Sequence, residues 1–298
     1  RVKCLFVEKD LQAFQKLSEA TSGIKELTVS AVHGEFENVI PEVMRYIGNA
    51  FALVFIDPTG WTGYDFSKIG ILLTRPRCEV LVNFMFDHIN RFIDHPDQIV
   101  QESIAPLFGG LGWQSKINSD IPREDAIVEL FRDGLKSAGH FNHVLSATIL
   151  KSTADRSHFH LVYGTRHPTG LEVFRNVEKK AMNEQKTVRE DAKQKKRVSK
   201  SGQSELFRAS ELPSQPSETS VRECQFKMAR KYAEQHLSRF QQVRFGILRN
   251  LLLERFSICA PEINQLFLKM QKEGVINIEG LKPPHRVPKP ENLISLGT

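Results

Sequence analysis

Six apolar residues in a row, Phe51-Ala-Leu-Val-Phe-Ile56, run straight into Asp57-Pro58-Thr59-Gly60-Trp61. A run this short and without alternation reads as a β-strand covered on both faces, the pattern of a parallel sheet packed between helices. Proline and glycine end it at once, and the residue before a proline is held extended, so Asp57 sits at the strand tip. Open α/β sheets bind ligands at the carboxyl ends of their strands. Position alone therefore makes this carboxylate a candidate site residue.

The neighbouring segments follow the same plan. Residues 2–8 read as a strand and 10–20 as a helix, with Leu11, Phe14 and Leu17 at helical spacing. A strand at 27–32, a helix at 38–47, a helix at 66–74 and a strand at 79–86 continue the alternation that builds βαβ units. Residues 87–121 read as a loop-rich excursion with Gly109, Gly110, Gly112 and Trp113, of the kind that shapes a cleft. An amphipathic helix is expected at 123–138. Strands at 144–150 and 159–163 are separated by too few residues for a parallel crossover, so they form an antiparallel hairpin. An α/β sheet ending in such a hairpin departs from the nicotinamide-binding pattern. It is the arrangement of class I S-adenosylmethionine-dependent methyltransferases: Rossmann-like, mostly parallel, with a terminal antiparallel hairpin.

The expected domains are 1–177 (the α/β domain), 178–220 (a basic helix and linker) and 221–298 (a small helical domain). The net charge of +6 is concentrated in residues 178–200, where nine Lys and Arg, among them Lys195, Lys196 and Arg197, face four acids. Such a run suits a phosphate backbone, and equally a solvated helix leading into a linker. Residues 202–220 are rich in Ser, Pro, Gln and Glu, a linker composition. Helices are expected at 221–237, 241–256 and 260–273, the last with Pro261 at its start and Gly274 as its C-terminal cap. A short strand at 275–278 and a Pro-rich basic loop follow, which together suggest a winged helix. On the last helix Ile263, Leu266, Phe267 and Met270 make the core stripe. That leaves Asn264, Gln265, Lys269 and Lys272 for nucleic acid, or for docking to a protein.

Four scattered cysteines without CxxC spacing point to a reduced, cytoplasmic protein, and no apolar run approaches the ~20 residues of a membrane span. Metal use is not expected: Asp87-His88 and Asp94-His95 match no common ligand spacing. His158 and His160 share a strand face, where an exposed cross-strand role is the simpler reading. Asn90 and Arg91 could contact a substrate phosphate, or Arg91 could pair with Asp87 or Asp94.

Three acids then stand at three successive strand tips: Glu8, Glu35 and Asp57. In dinucleotide- and methyl-donor-binding sheets, the acid ending the second strand accepts both ribose hydroxyls. Glu8 fits that role if one strand and a glycine-rich turn precede it in the fold, and Glu35 is then placed for the adenine end. Each acid taken alone is equally a solvated loop carboxylate. Asp57-Pro58-Thr59-Gly60-Trp61 resembles the Asp-Pro-Pro-Tyr element of amino-directed nucleic-acid methyltransferases, with Thr59 at the second proline and Gly60 before the aromatic. The resemblance implies that Asp57 and the Pro58 carbonyl hold the target amine. Trp61 would stack on a base taken out of its helix, or would instead cap the core under its loop.

Over most of its length the chain resembles the three-Cys-motif partner proteins. The matching stretches are Phe6-Val-Glu8, Phe55-Ile-Asp57-Pro-Thr-Gly-Trp61, Val82-Asn-Phe-Met-Phe86 with Asn90-Arg91-Phe92, and Tyr163-Gly-Thr-Arg-His-Pro-Thr-Gly170. The resemblance implies a methyltransferase-like sheet, a C-terminal winged-helix-like region and a partner protein carrying a three-cysteine motif. It also implies an upstream strand and glycine-rich turn for the methionine end of the donor; this sequence lacks them, so the expectation is a domain truncated at its N-terminal side. Two functions are expected from these readings. One is an S-adenosylmethionine-dependent methyltransferase acting on nucleic acid; the other is a non-catalytic scaffold of the same fold that binds its partner and possibly DNA.

Overall fold

The computed structural model describes residues 2–151, 156–201, 216–281 and 287–297. The chain forms two compact units, residues 1–149 with 157–166, and residues 150–156 with 167–298.

The first unit is α/β. It runs β1 (Lys3–Glu8), α1 (Leu11–Ser22), β2 (Thr28–His33), α2 (Ile40–Ile47), β3 (Ala52–Ile56), α3 (Phe66–Leu73) and β4 (Cys78–Phe84). Then follow α4 (Phe86–Phe92), α5 (Gln98–Ile104), α6 (Arg123–Gly139), β5 (His143–Leu150) and β6 (Ser157–Thr165). The expected elements are present to within a few residues. The loop-rich stretch is more ordered than its composition suggests, since it holds α4, α5 and two short 3-10 turns at Ala105–Phe108 and Trp113–Lys116. Elements of seven residues or fewer carry too little periodicity to register.

Two sheets form rather than one. β1 and β2 pair in parallel, and a separate four-stranded mixed sheet has the order β3-β4-β6-β5. β3 and β4 are parallel and β6 is antiparallel to β4. β5 lies beside β6 across a connection too short for a crossover, as expected of a hairpin.

β4 organises the core by strict alternation. Cys78, Val80, Val82 and Phe84 are buried, and the three residues between them are half-buried. The buried face packs on α3 and α6, where the Phe84 and Phe131 rings stack with centroids 4.1 Å apart and Phe66 lies 5.4 Å from Phe131. α6 approaches so closely at Gly134 that a Cβ there would stand 2.6 Å from the Leu107 carbonyl oxygen. The base of the sheet is tied by Arg166. Its guanidinium donates to the carbonyls of Cys78 (2.9 Å), Leu73 (2.7 Å) and Gly139 and lies 4.6 Å over the Phe141 ring.

The other face corrects one expectation. Phe51, Leu53 and Phe55 are 60%, 58% and 58% exposed, so the strand that reads as covered on both faces is covered on one. The register places Leu53 beside Glu79 and Phe55 beside Leu81. Among the described residues no element packs over this part of β3. An unbroken apolar run reports the capacity of a strand to be buried twice, not the presence of a second layer.

The second unit holds α7 (Pro168–Ser201), α8 (Pro216–Phe240), β7 (Gln242–Arg244), α9 (Phe245–Arg255), α10 (Ala260–Lys272), β8 (Ile276–Ile278) and β9 (Leu293–Leu296). α7 belongs wholly to this unit, whereas the expected boundary at 177 falls inside it. Of the expected linker, residues 202–215 lie outside the described residues and 216–220 are helical. The helix expected at 241–256 is split: β7 takes its first residues, and β9, which was not foreseen, pairs antiparallel with both β7 and β8. Strands of three or four residues leave almost no periodic trace.

Two polar clusters hold this unit, the first buried and the second partly exposed. Arg175 donates to Glu178 at 2.6 Å and to the Leu253 carbonyl at 2.7 Å, while the Ser257 hydroxyl donates to the other Glu178 oxygen at 2.8 Å. Glu262 accepts from the Cys259 amide at 2.9 Å in a capping box and from Lys179 at 2.9 Å, and it also pairs with Arg222. Burial pushes the Glu262 carboxyl up, but these donors outweigh burial and hold it down to about 2. Gly274 ends α10 at φ 74°, as the cap expectation requires.

Two outcomes check this account. Because Glu262 is depressed in the folded state, its contribution is complete above its ordinary value of 4.5 and disappears as the pH falls to about 2. Glu262→Gln should therefore unfold earlier than wild type in chemical denaturation at pH 6, and the gap should close by pH 2. In the first unit, Phe55→Ser should cost under about 1 kcal/mol, against roughly 3–5 kcal/mol for truncating a buried Phe such as Phe84→Ala. Urea midpoints of the two variants separate these cases.

Candidate functional site

Most candidate residues of the first unit stand at or just beyond the carboxyl ends of parallel strands, Glu8 and Glu35 on the two-stranded sheet and Asp57 on the four-stranded one. Asp57 directly follows β3, and Asn83 is the penultimate residue of the adjacent β4. The Asn83 amide nitrogen donates to Asp57 Oδ1 at 2.6 Å. Among the described residues Asp57 Oδ2 has no partner, and Asp57 is exposed. A carboxylate accepts only, so it must face the Nδ2 end of the amide. That orientation leaves Asn83 Oδ1 buried without a hydrogen bond. Such an orphan acceptor costs about 1–3 kcal/mol, and so the strand tip trades stability for a fixed carboxylate.

Asn83 is the residue that the sequence reading did not single out. Its signal was available: it is the one amide interrupting the apolar alternation of β4, level with the end of β3.

Glu8 and Glu35 stand at the tips of β1 and β2, as expected, but each serves its own turn. Glu8 Oε1 accepts from the Asp10 amide at 2.8 Å, and the Glu8 carbonyl accepts from the Gly34 amide at 3.0 Å. Asp10 in turn caps α1 by accepting from the Ala13 amide at 2.7 Å. Glu35 Oε2 accepts from Asn38 at 3.0 Å. One oxygen of each glutamate has no further partner among the described residues.

Trp61 is half-buried. Its indole N–H donates to Ser103 Oγ at 3.0 Å, and its ring lies 4.9 Å from that of Phe92 at 48°. Both contacts are with the α4–α5 region, so the capping alternative describes its present contacts.

Asn90 and Arg91 sit on α4 and are exposed. Arg123 donates to Asn90 Oδ1 at 3.0 Å and pairs with Asp94. Of the two acids expected as partners for Arg91, Asp87 and Asp94, the second is paired instead with Arg123, from the first turn of α6. That residue lies 33 positions from Asn90 in sequence, beyond the reach of local reading.

His160 has the expected cross-strand contact, to Thr148 on β5, but is not exposed. It is 4% exposed, with Nε2 3.0 Å from Glu124 and Nδ1 3.3 Å from the Thr148 hydroxyl. Hydrogen bonding to His160 lowers the Glu124 carboxyl against an opposing effect of burial. The partner acid comes from α6, which folds over the sheet top, and nothing in the local pattern of β6 announces it.

A cavity of about 630 Å³ opens between α3, α6 and residues 105–111, lined by Asp65, Ser67, Glu102, Gly109, Gly110 and Ser137 among others. It contains none of the strand-tip acids. We locate the candidate site by its chemistry at the sheet top rather than by this volume.

In the second unit, Lys269 and Lys272 are exposed in the last turns of α10, and Lys269 lies 3.9 Å from Glu273. Lys195, Lys196 and Arg197 lie on α7, but their side chains fall outside the described residues. Among the described residues no helix is long and apolar enough to cross a membrane.

Comparison with models of protein families, with curated proteins and with solved structures found no match for this chain.

The orphaned acceptor makes a direct prediction. Asn83→Leu removes it, so the variant should unfold at the same denaturant concentration as wild type or higher, by up to about 1 kcal/mol. A markedly lower midpoint would mean that the Asp57–Asn83 bond stabilises the fold instead of burdening it.

Proposed function

We propose that the chain is an S-adenosylmethionine-dependent methyltransferase acting on an exocyclic amine of nucleic acid. The observation that carries this reading is Asp57. It is a carboxylate at the end of a parallel strand, exposed, with one oxygen held at 2.6 Å by Asn83 and the other free. In this reading the first unit is a class I methyltransferase-like, Rossmann-like sheet. The second, with strand order β7-β9-β8 behind three helices, is winged-helix-like.

Glu8 and Glu35 fit the donor in one respect: each keeps an oxygen free for a hydroxyl or an amino group. The donor supplies an electrophilic methyl group, whose S–C electron pair returns to sulfur as the new N–C bond forms. The protein's own part is positioning, which can supply several kcal/mol of the barrier. Asp57 Oδ2 accepts one N–H of the amine and turns the nitrogen lone pair toward the methyl group. The Pro58 carbonyl accepts the second N–H. The proton lost from nitrogen passes by way of Asp57 to solvent. Asn90, Arg91, Lys269, Lys272 and the Lys195–Arg197 run would bind the polymer by its phosphates, with an affinity that falls as salt rises.

A second reading has specific support. Glu8, Glu35 and Trp61 each already have an intraprotein partner, and the apolar face of β3 is open. These features suit a methyltransferase-like scaffold for a three-Cys-motif protein, with the second unit bound to DNA. Fold likeness by itself does not decide between chemistry and scaffolding.

Equilibrium binding and transfer of labelled S-adenosylmethionine distinguish the two. Asp57→Ala should abolish transfer to oligonucleotides while leaving donor affinity within about threefold, and Glu8→Ala should weaken the donor about tenfold or more. Donor binding without transfer to any nucleic acid, together with a stable partner complex, would favour the scaffold.

A further inference from the structure

The Asp57–Asn83 pair offers more than an acceptor. The amide nitrogen of Asn83 carries two hydrogens, and one is used on Asp57 Oδ1. Among the described residues the second has no partner, and neither has Asp57 Oδ2. A free acceptor and a free donor therefore sit side by side, on adjacent parallel strands, at the same end of the sheet. The orientation of the amide is not adjustable, because the carboxylate holds the Nδ2 end toward itself and strands Oδ1 in a buried position. A neutral amide kept in that costly orientation presents N–H, and only N–H, to an incoming group.

We propose that Asn83 is a specificity-determining residue. Its free N–H donates to a ring nitrogen next to the amine held by Asp57, so the pair recognises a donor–acceptor edge. This rests on the methyltransferase reading above and names its acceptor class. Adenine and cytosine present such an edge, an amino group flanked by an unprotonated ring nitrogen. Thymine and uracil present no amino group, and guanine has an N–H on one side of its amine and an unprotonated nitrogen, N3, only on the other, beside its glycosidic bond. An isolated alkyl amine, such as a lysine side chain, has no neighbouring acceptor. Asp57 thus selects for an amine, and Asn83 for an amine in an aromatic amidine.

The test uses the full chain, labelled S-adenosylmethionine and single-stranded oligonucleotides. Adenine is compared with its 1-deaza and 7-deaza analogues, and cytosine with its 3-deaza analogue; each analogue keeps the amine and replaces one ring nitrogen by C–H. For wild type, kcat/KM on the preferred base should fall roughly 10- to 100-fold on the matching analogue, the worth of one recognised base contact. In Asn83→Ala the ratio of natural base to analogue should collapse to about one. Asn83→Leu, which fills the site without a donor, should show the same collapse and guards against misfolding of the alanine variant. A ratio unchanged in both variants, or equal rates on base and analogue with wild type, would overturn the proposal and leave Asn83 as a support for Asp57 alone. No transfer by wild type to any oligonucleotide is a different result: it removes the methyltransferase reading, and this inference with it.

Discussion

The first unit depends on the two-residue period of β4. One parity of that strand is greasy and packs α3 and α6 onto the sheet through the Phe84–Phe131 stack. The other parity carries Glu79 and Asn83. Glu79 accepts from the Tyr163 hydroxyl at 2.5 Å and from Thr165 at 2.8 Å, and so fixes the register of β6 at the base of the sheet. Asn83 reaches sideways to Asp57 at the top. A slip of one residue would put Asn83 into the core and Val82 beside the carboxylate, so the hydrophobic demand of the core also places the candidate chemistry.

The second unit solves a different problem, that of holding a long, highly charged helix against a small core. It does so through carboxylates that are buried or half-buried and fully partnered. Glu178 is matched by Arg175 and Ser257, and Glu262 by Lys179, Arg222 and the Cys259 amide. Such clusters add little net energy when complete and are costly when broken. Their effect is specificity: they set which turn of α7 meets the end of α9 and the start of α10.

Legibility in the sequence followed element length and locality. The strand ending at Glu8, the amphipathic α6, the β5–β6 hairpin and the Gly274 stop all rest on signals spanning fewer than about twenty residues, and each was readable. α4 and α5 were hidden in a glycine-containing stretch. β7 was absorbed into a helix pattern and β9 was missed, because three or four residues do not establish a period. Three acids at strand tips could be named as candidates, but their partners could not. Asn83 lies 26 positions from Asp57, Glu124 lies 36 from His160, and Ser103 lies 42 from Trp61.

The amino-acid sequence by itself determined where the chain turns, which segments alternate, and that carboxylates stand at the ends of successive strands. Backbone stereochemistry and hydrophobic period act over one element at a time, and the sequence records them directly. Only the tertiary structure decided that β3 shows one apolar face to solvent, that Arg123 rather than Arg91 answers Asp94, and that His160 is buried against Glu124. Only it, too, brought an amide to Asp57 with its donor forward and its acceptor stranded. Those outcomes depend on which surfaces remain after packing and on hydrogen-bond partners brought in from distant elements. The folded chain settles them all at once, and no local pattern encodes them.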